Sequence, residues 1–225
     1  MIKKHIYRTL SEDALEVYRV FSTKEGAQHI AKPPSIQAVT EIIRWHKPKT
    51  ILEVGGGIGA LSFVCLKHSE ANVDIFEDNI FCIGELRKNL RDFDGRYTIH
   101  SDYSNYSLPH LAYDLVIFDG GTYELINQLT RSLTDMRLTF FEGNRIQDRA
   151  VFRKALKENY VFTVREYIDS SGKYKGGHEI RCKKSKSKFL REILYRYWEV
   201  IYYIREVVWN ALNRRVARLK NLFAP

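Results

Sequence analysis

Cysteine is scarce in this sequence. Three thiols in 225 residues, Cys65, Cys82 and Cys182, stand at no metal-ligand spacing, and an odd count argues against a disulfide framework. The pattern predicts a reducing, intracellular compartment. Long apolar runs are missing as well, since no stretch approaches the roughly 18 residues of a spanning helix. The N-terminal stretch MIKKHIYRTLSEDALEVYRV meets Glu12, Asp13 and Glu16 before any apolar core of signal-peptide length. A soluble or surface-bound chain is expected. Internal repeats and low-complexity linkers are also lacking, and 44% hydrophobic content over 225 residues suffices for one substantial core.

An acidic balance is absent too: the formal net charge is +9. From Arg181 to Pro225, twelve Lys or Arg face three Glu, which accounts for the whole excess, and the other 180 residues balance 24 bases against 24 acids. Long-range attraction of an anion therefore belongs to the C-terminal segment.

What is present is a change of rhythm at Pro48. Before it, Leu10, Ala14, Val17, Tyr18 and Phe21 recur at helical spacing and predict a helix within residues 10–30, with Ser11 as N-cap. Pro33 and Pro34 are expected to hold an extended turn, with Ser35 capping a second helix that ends near Pro48. After it, the apolar runs TILEV, NVDIFE, YTIHS, YDLVIFD and RLTFFE alternate with helical stretches. That alternation predicts an α/β domain, a doubly wound and mostly parallel sheet covered on both faces. YVFTVREYI and HEIRCKK flank the polar DSSGKYKGG, which reads as a hairpin that gives the sheet an antiparallel last strand.

The densest glycine stretch is TILEVGGGIGALSF, Thr50 to Phe63. A loop between a strand and a helix lets backbone N–H groups approach a ligand, and two ligands compete for it. Gly55, Gly57 and Ala60 fit a dinucleotide pattern, with Glu77 at the end of the next strand as a ribose-binding acid. Glu53, Gly55, Gly57 and Gly59, with Gly56 between them, also form E-x-G-x-G-x-G. This resembles the first motif of the class I, Rossmann-like S-adenosylmethionine-dependent methyltransferases. Glu53 discriminates between the two, because a carboxylate repels a pyrophosphate and helps hold an ammonium.

Later stretches arrive in that family's order. Glu77 matches its second-strand acid, implying bonds to both ribose hydroxyls, with Asp78 and Asn79 flanking the adenine. Asp102 in YTIHSDYSN resembles the acid that takes the adenine amino group, with Tyr103 beside the purine. Asp119 in YDLVIFDGG resembles the fourth-strand acid near the methionine end and the acceptor. Four acids at four strand ends suit a ligand, which in open α/β sheets lies beyond the carboxyl ends of strands. The resemblance implies S-adenosylmethionine as cofactor, and it divides the chain into 1–47 as helices on the acceptor side, 48–184 as the cofactor-binding core and 185–225 as a basic tail. His29 and Lys32 fall where a cover over the cofactor is expected.

FDGGTYE further resembles small-molecule and sugar O-methyltransferases, which implies Asp119 and Glu142 at the reacting end. With Asn144 these are also oxygen donors of the kind that suits Mg²⁺. Thr122 stands where a histidine is common there, and the usual Pro-Gly turn is missing. DGGT replaces the proline-rich signatures of amino and nucleobase methyltransferases, which favours an oxygen acceptor. His100 faces an apolar segment and reads as a satisfied core residue, whereas His178 at the hairpin reads as exposed.

After Lys186 neither Pro nor Gly occurs before Pro225. Leu190, Ile193, Leu194, Tyr197, Ile201, Ile204, Val208, Ala211, Leu212 and Leu219 recur at three and four, the pattern of a long amphipathic helix. Trp198, Tyr202, Tyr203 and Trp209 add aromatics, and Arg191, Arg196, Arg205, Arg214, Arg215 and Arg218 add charge. Residues 185–223 are expected to lie on an anionic membrane surface at its cytoplasmic face, presenting a small-molecule, glycan or lipid-linked acceptor. A homodimer through the helix, packing against the domain and RNA binding, as the basic arm of an RNA methyltransferase, are the alternatives, and Thr122 with the missing Pro-Gly turn leaves a non-catalytic cofactor-binding scaffold as a further one.

Overall fold

The alternation beyond Pro48 folds into one eight-stranded sheet, in a computed structural model that describes residues 3–102, 112–133, 135–170, 175–204 and 208. In chain order the strands are β1 (Lys3–Tyr7), β2 (Thr50–Val54), β3 (Asn72–Phe76), β4 (Tyr97–His100), β5 (Ala112–Tyr113), β6 (Leu115–Phe118), β7 (Asp135–Met136), β8 (Leu138–Glu142), β9 (Tyr160–Asp169) and β10 (Lys175–Lys184). The helices are α1 (Glu12–Ser22), α2 (Pro33–His46), α3 (Ala60–His68), α4 (Ile80–Leu90), α5 (Tyr123–Ser132), α6 (Ile146–Leu156) and α7 (Lys188–Tyr202). The strand order is β4-β3-β2-β6-β8-β10-β9-β1, while β5 and β7 form a separate two-stranded pair. Every pairing in the main sheet is parallel except those of β10, which runs antiparallel to both β8 and β9.

Why the central strands read as continuous apolar runs is visible in the packing. Leu115 to Phe118 are all buried, as are Ile51 to Val54, because helices cover both faces. On one face Ile51, Val73 and Ile75 meet Ile36, Ile42, Val64 and Leu86 from α2, α3 and α4. On the other, Phe118 and Phe141 stack at 4.7 Å, and Phe152 of α6 meets them at 5.9 and 5.1 Å. Each buried phenyl ring contributes about 1.5–3 kcal/mol.

Four details depart from the sequence reading. Lys3–Tyr7 is a strand, pairing in parallel with β9 at the sheet edge. The first helix ends at Ser22, and Gly26 at φ 82° turns the chain before a short 3-10 turn over Ala27–His29. Pro33 and Pro34 form the first turn of α2, with Lys32 as the N-cap residue. A missing N–H is no loss at that position and the fixed φ suits a helix, so Ser35 is left free for a tertiary contact. His178 is buried rather than exposed, because β10 is an interior strand that sets it between Phe141 of β8 and Glu166 of β9.

Helix α7 packs one face on the domain. Trp198 and Tyr202 are buried, the indole Nε1 donates to the Phe162 carbonyl at 3.1 Å, and the ring stacks on Phe162 at 5.8 Å. These two aromatics therefore belong to the core and are not presented at an interface. The opposite face exposes Phe189, Leu190, Ile193, Tyr197, Val200 and Ile204. The rest of the expected long helix, apart from Val208, lies outside the described residues. Among the described residues, no helix is long and apolar enough to cross a membrane.

Candidate functional site

The chain moves outward from β2 to β3 and β4, then returns and moves the other way from β6 to β8. Where the direction reverses, the loops after β2 and β6 diverge above and below the sheet and leave a crevice. Here the two loops touch through glycines. Gly55, at φ 86°, lies so close that a Cβ would come within 2.5 Å of Gly120 Cα and N. The amides of Gly55 and Gly56 both donate to the Phe76 carbonyl at 3.0 Å, which pins the loop to the end of β3.

The crevice is a cavity of about 310 Å³ lined by Gly55 to Ile58, Glu77 to Asn79, Cys82 and Asp119 to Gly121, with Gly26 and His29 to Ala31 closing one side. That volume is at the small end of the range for small-molecule sites, about 300–1,000 Å³. A larger cavity of about 640 Å³ lies between the ends of α5, α6 and β10, but none of the glycine-loop or strand-end acids lines it.

Glu77 and Asp119 line the crevice, and Glu53, which is not among the lining residues, is buried in the strand that leads into it. Glu53 is fully buried on β2, directly before the loop, where the Ser62 hydroxyl donates to Oε2 and Oε1 has no partner among the described residues. Burial pushes its carboxyl up to about 8, against the Ser62 bond, and the nearby Glu77 adds to the rise. Glu77 accepts from the Gly57 amide at 2.7 Å and from the Asn79 amide at 2.9 Å, so both its oxygens are oriented by backbone. Asp119 is raised well above the ordinary carboxylate range by burial, then by Glu142, with Glu53 adding and Arg145 opposing. A Cβ on Gly57 would meet nothing within 4 Å, so that face of the loop is open for a ligand. An orphaned buried carboxylate oxygen and an open glycine cradle fit a cationic amine on a small molecule. They do not fit a pyrophosphate, whose negative charge would lie against these acids.

Around Asp119 the donors are engaged by protein side chains. Arg145 donates through Nη2 to the Asp119 carbonyl and lies 3.3 Å from Asp119 Oδ1. Glu142 accepts from Ser35 at 2.9 Å, and Arg149 reaches the Asn144 carbonyl at 3.3 Å and its Oδ1 at 3.5 Å. Among the described residues no group of three His, Cys, Asp or Glu side chains could hold a metal ion. Asp119, Glu142 and Asn144 are each engaged by a protein donor, Arg145, Ser35 and Arg149 respectively, rather than presented as bare, converging oxygen ligands of the kind Mg²⁺ takes. Thr122 caps α5 by accepting from the Leu125 amide at 3.3 Å.

The structure gathers Gly55, Gly56, Gly57, Glu77, Asp78 and Asp119 around one cavity. Gly59, at φ 93°, is the N-cap of α3, and Asn79 caps α4 by accepting from the Cys82 amide. Asp102 stands exposed two residues beyond β4 and is not among the lining residues. Tyr103 lies outside the described residues. The contacts of Ser35 with Glu142 and of Arg145 with Asp119 are what sequence reasoning missed. Ser35 reaches Glu142 because α2 crosses β10 closely, where a Cβ on Gly176 would come within 2.9 Å of the Pro34 carbonyl. The pair Gly176 and Gly177 was the available signal.

No family model matches the sequence, and no curated protein matches it. Solved structures do. The O-methyltransferase from Bacillus cereus in complex with SAH is similar at TM-score 0.60 and 13% identity, over 78% of this chain and 92% of that one. The O-methyltransferase TomG from Streptomyces achromogenes in complex with SAM gives 0.57 and 13%, over 79% and 92%. The tRNA (m1A58) methyltransferase TrmI from Aquifex aeolicus gives 0.58 and 16%, over 76% of each chain. At such identities the likeness is one of fold: the chain has the Rossmann-like fold of the class I S-adenosylmethionine-dependent methyltransferases.

Proposed function

We propose that this protein is an S-adenosylmethionine-dependent methyltransferase that methylates an oxygen of a small-molecule, glycan or lipid-linked acceptor. The observation that carries the reading is Glu53, a fully buried carboxylate with one oxygen unpartnered among the described residues, directly before a glycine loop that is open at Gly57. When bound, the cofactor supplies a sulfonium-activated methyl group. Glu53 takes its ammonium, Glu77 its ribose hydroxyls through lone pairs that the two backbone amides leave over, and Gly57 gives the approach. Asp78, Asp102 and Tyr103 are assigned to the adenine end.

Asp119 faces the acceptor from the end of β6. Burial raises its affinity for a proton, the direction that suits taking one from a hydroxyl acceptor, and Arg145 lies against the carboxyl. Glu142, fixed by Ser35, is the second acid at that end. In this reading residues 1–47 cover the acceptor, as the cavity-lining His29 to Ala31 suggest, 48–184 bind the cofactor and 185–225 form a tether. The exposed apolar stripe of α7, following Lys183, Lys184, Lys186 and Lys188, supports docking on an anionic membrane at its cytoplasmic face.

Incubation of the full chain with methyl-labelled S-adenosylmethionine and fractionated lipid, glycan and RNA extracts tests the reading. Label in lipid or glycan supports it. Label in RNA alone favours the arm-like reading of the basic tail, and no incorporation into any fraction counts against catalysis.

A further inference from the structure

Asp119 directly follows β6 and Glu142 ends β8, the neighbouring parallel strand, with Phe118 beside Phe141. Two carboxylates leaving a sheet side by side repel unless something cationic lies with them. The cation present is Arg145, three residues beyond Glu142 at the start of α6. Its Nη2 donates to the Asp119 carbonyl and lies 3.3 Å from Oδ1, while Nη1 lies 3.8 Å from Asp148 Oδ2. Its Nε is buried with no partner among the described residues, so the guanidinium is held by its Nη groups. The neighbouring oxygen donors are engaged from the protein side as well, Glu142 by the Ser35 hydroxyl and Asn144 by the fully buried Arg149.

A divalent ion needs the same lone pairs bare and converging, and it would sit against a permanent guanidinium charge. We infer that Arg145 occupies the place of a divalent cation at this end of the crevice, orienting Asp119 by its fixed charge and making the centre metal-independent. Arg145 is a positioning residue, acting through Asp119. The inference rests on the proposed function only in calling this end the reacting one, because the ion itself can be probed without any methyl transfer.

Mn²⁺ titration followed by electron paramagnetic resonance, on the full chain without cofactor, reads the competition directly. Wild type is expected to show no site tighter than about a millimolar. Arg145→Met, which keeps the stem and removes the charge, is expected to gain one Mn²⁺ site at least about tenfold tighter than wild type. Arg145→Lys keeps the charge and should stay near wild type. A micromolar Mn²⁺ site in wild type overturns the inference, and so does an Arg145→Met protein that binds no tighter than wild type. If Arg145→Met fails to fold, the wild-type and Arg145→Lys titrations still decide, since tight binding by either contradicts it. Loss of S-adenosylhomocysteine binding in wild type would sink the proposed function and leave these Mn²⁺ results standing.

Discussion

Replacing Glu53 with glutamine should make the empty protein more stable and the cofactor complex weaker. The carboxyl is fully buried and titrates at about 8, against 4.5 as its ordinary value. Between those values the folded chain keeps a proton that the unfolded chain releases, so folding stability falls as pH rises. The slope is about 1.4 kcal/mol per pH unit for one such group. The loss begins near pH 4.5, reaches about 3 kcal/mol by pH 7 and levels off above pH 8 at no more than about 5 kcal/mol. Glutamine has the same shape, can still accept from Ser62 and carries no charge to desolvate.

Thermal unfolding of both proteins by circular dichroism between pH 4 and pH 8 is the assay. At pH 4 the two should melt together, and at pH 7 Glu53→Gln should melt about 6–12 °C higher, given 2–4 °C per kcal/mol at this size. The neutral amide cannot pair with an ammonium, so S-adenosylhomocysteine affinity should fall by about tenfold to a hundredfold, the worth of a charge-assisted bond. In wild type, binding at pH 7 should release a proton as Glu53 ionises against the ligand, seen as heat that changes with buffer ionisation enthalpy. A glutamine variant that is less stable at pH 8, or that binds as wild type does, would refute the reasoning.

Other expectations rest on single contacts. Gly55→Ala forces a Cβ against Gly120 backbone at 2.5 Å from a φ of 86°, so a loss of more than about 2 kcal/mol is expected in urea unfolding. Trp198→Ala removes the stacked, hydrogen-bonded anchor of α7 and should cost about 3–5 kcal/mol, with the helix made accessible to limited proteolysis. Ile193→Asp with Val200→Asp, both on the exposed stripe, should change stability by no more than about 0.5 kcal/mol each and abolish flotation with anionic vesicles. Unchanged flotation would remove the stripe from the tether.

The parallel sheet and its crevice were legible because central strands must be apolar on both faces and glycines must cluster where two loops meet. TILEV and LVIF announce themselves by burial alone. KKHIY does not, since an edge strand with two lysines exists only through its pairing with β9. The fate of His178 depended on β10 inserting between β8 and β9, a topological fact that local pattern does not carry. Helix α7 is apolar on two sides, and periodicity could not tell that Trp198 faces Phe162 while Ile193 faces outward. The contact of Arg145 with Asp119 was not legible for a further reason. Its role comes from the adjacency of Asp119 and Glu142, which are far apart in the chain and joined only by the β6–β8 pairing.

The central claim is the choice of ligand by a glycine loop that two cofactors could claim. Isothermal titration of the folded chain with S-adenosylhomocysteine and, separately, with a nicotinamide dinucleotide decides it. The account expects one saturable site for S-adenosylhomocysteine, lost in Gly57→Asp, and no heat with the dinucleotide. Binding of the dinucleotide, or silence with S-adenosylhomocysteine from a protein that still melts cooperatively, would contradict it.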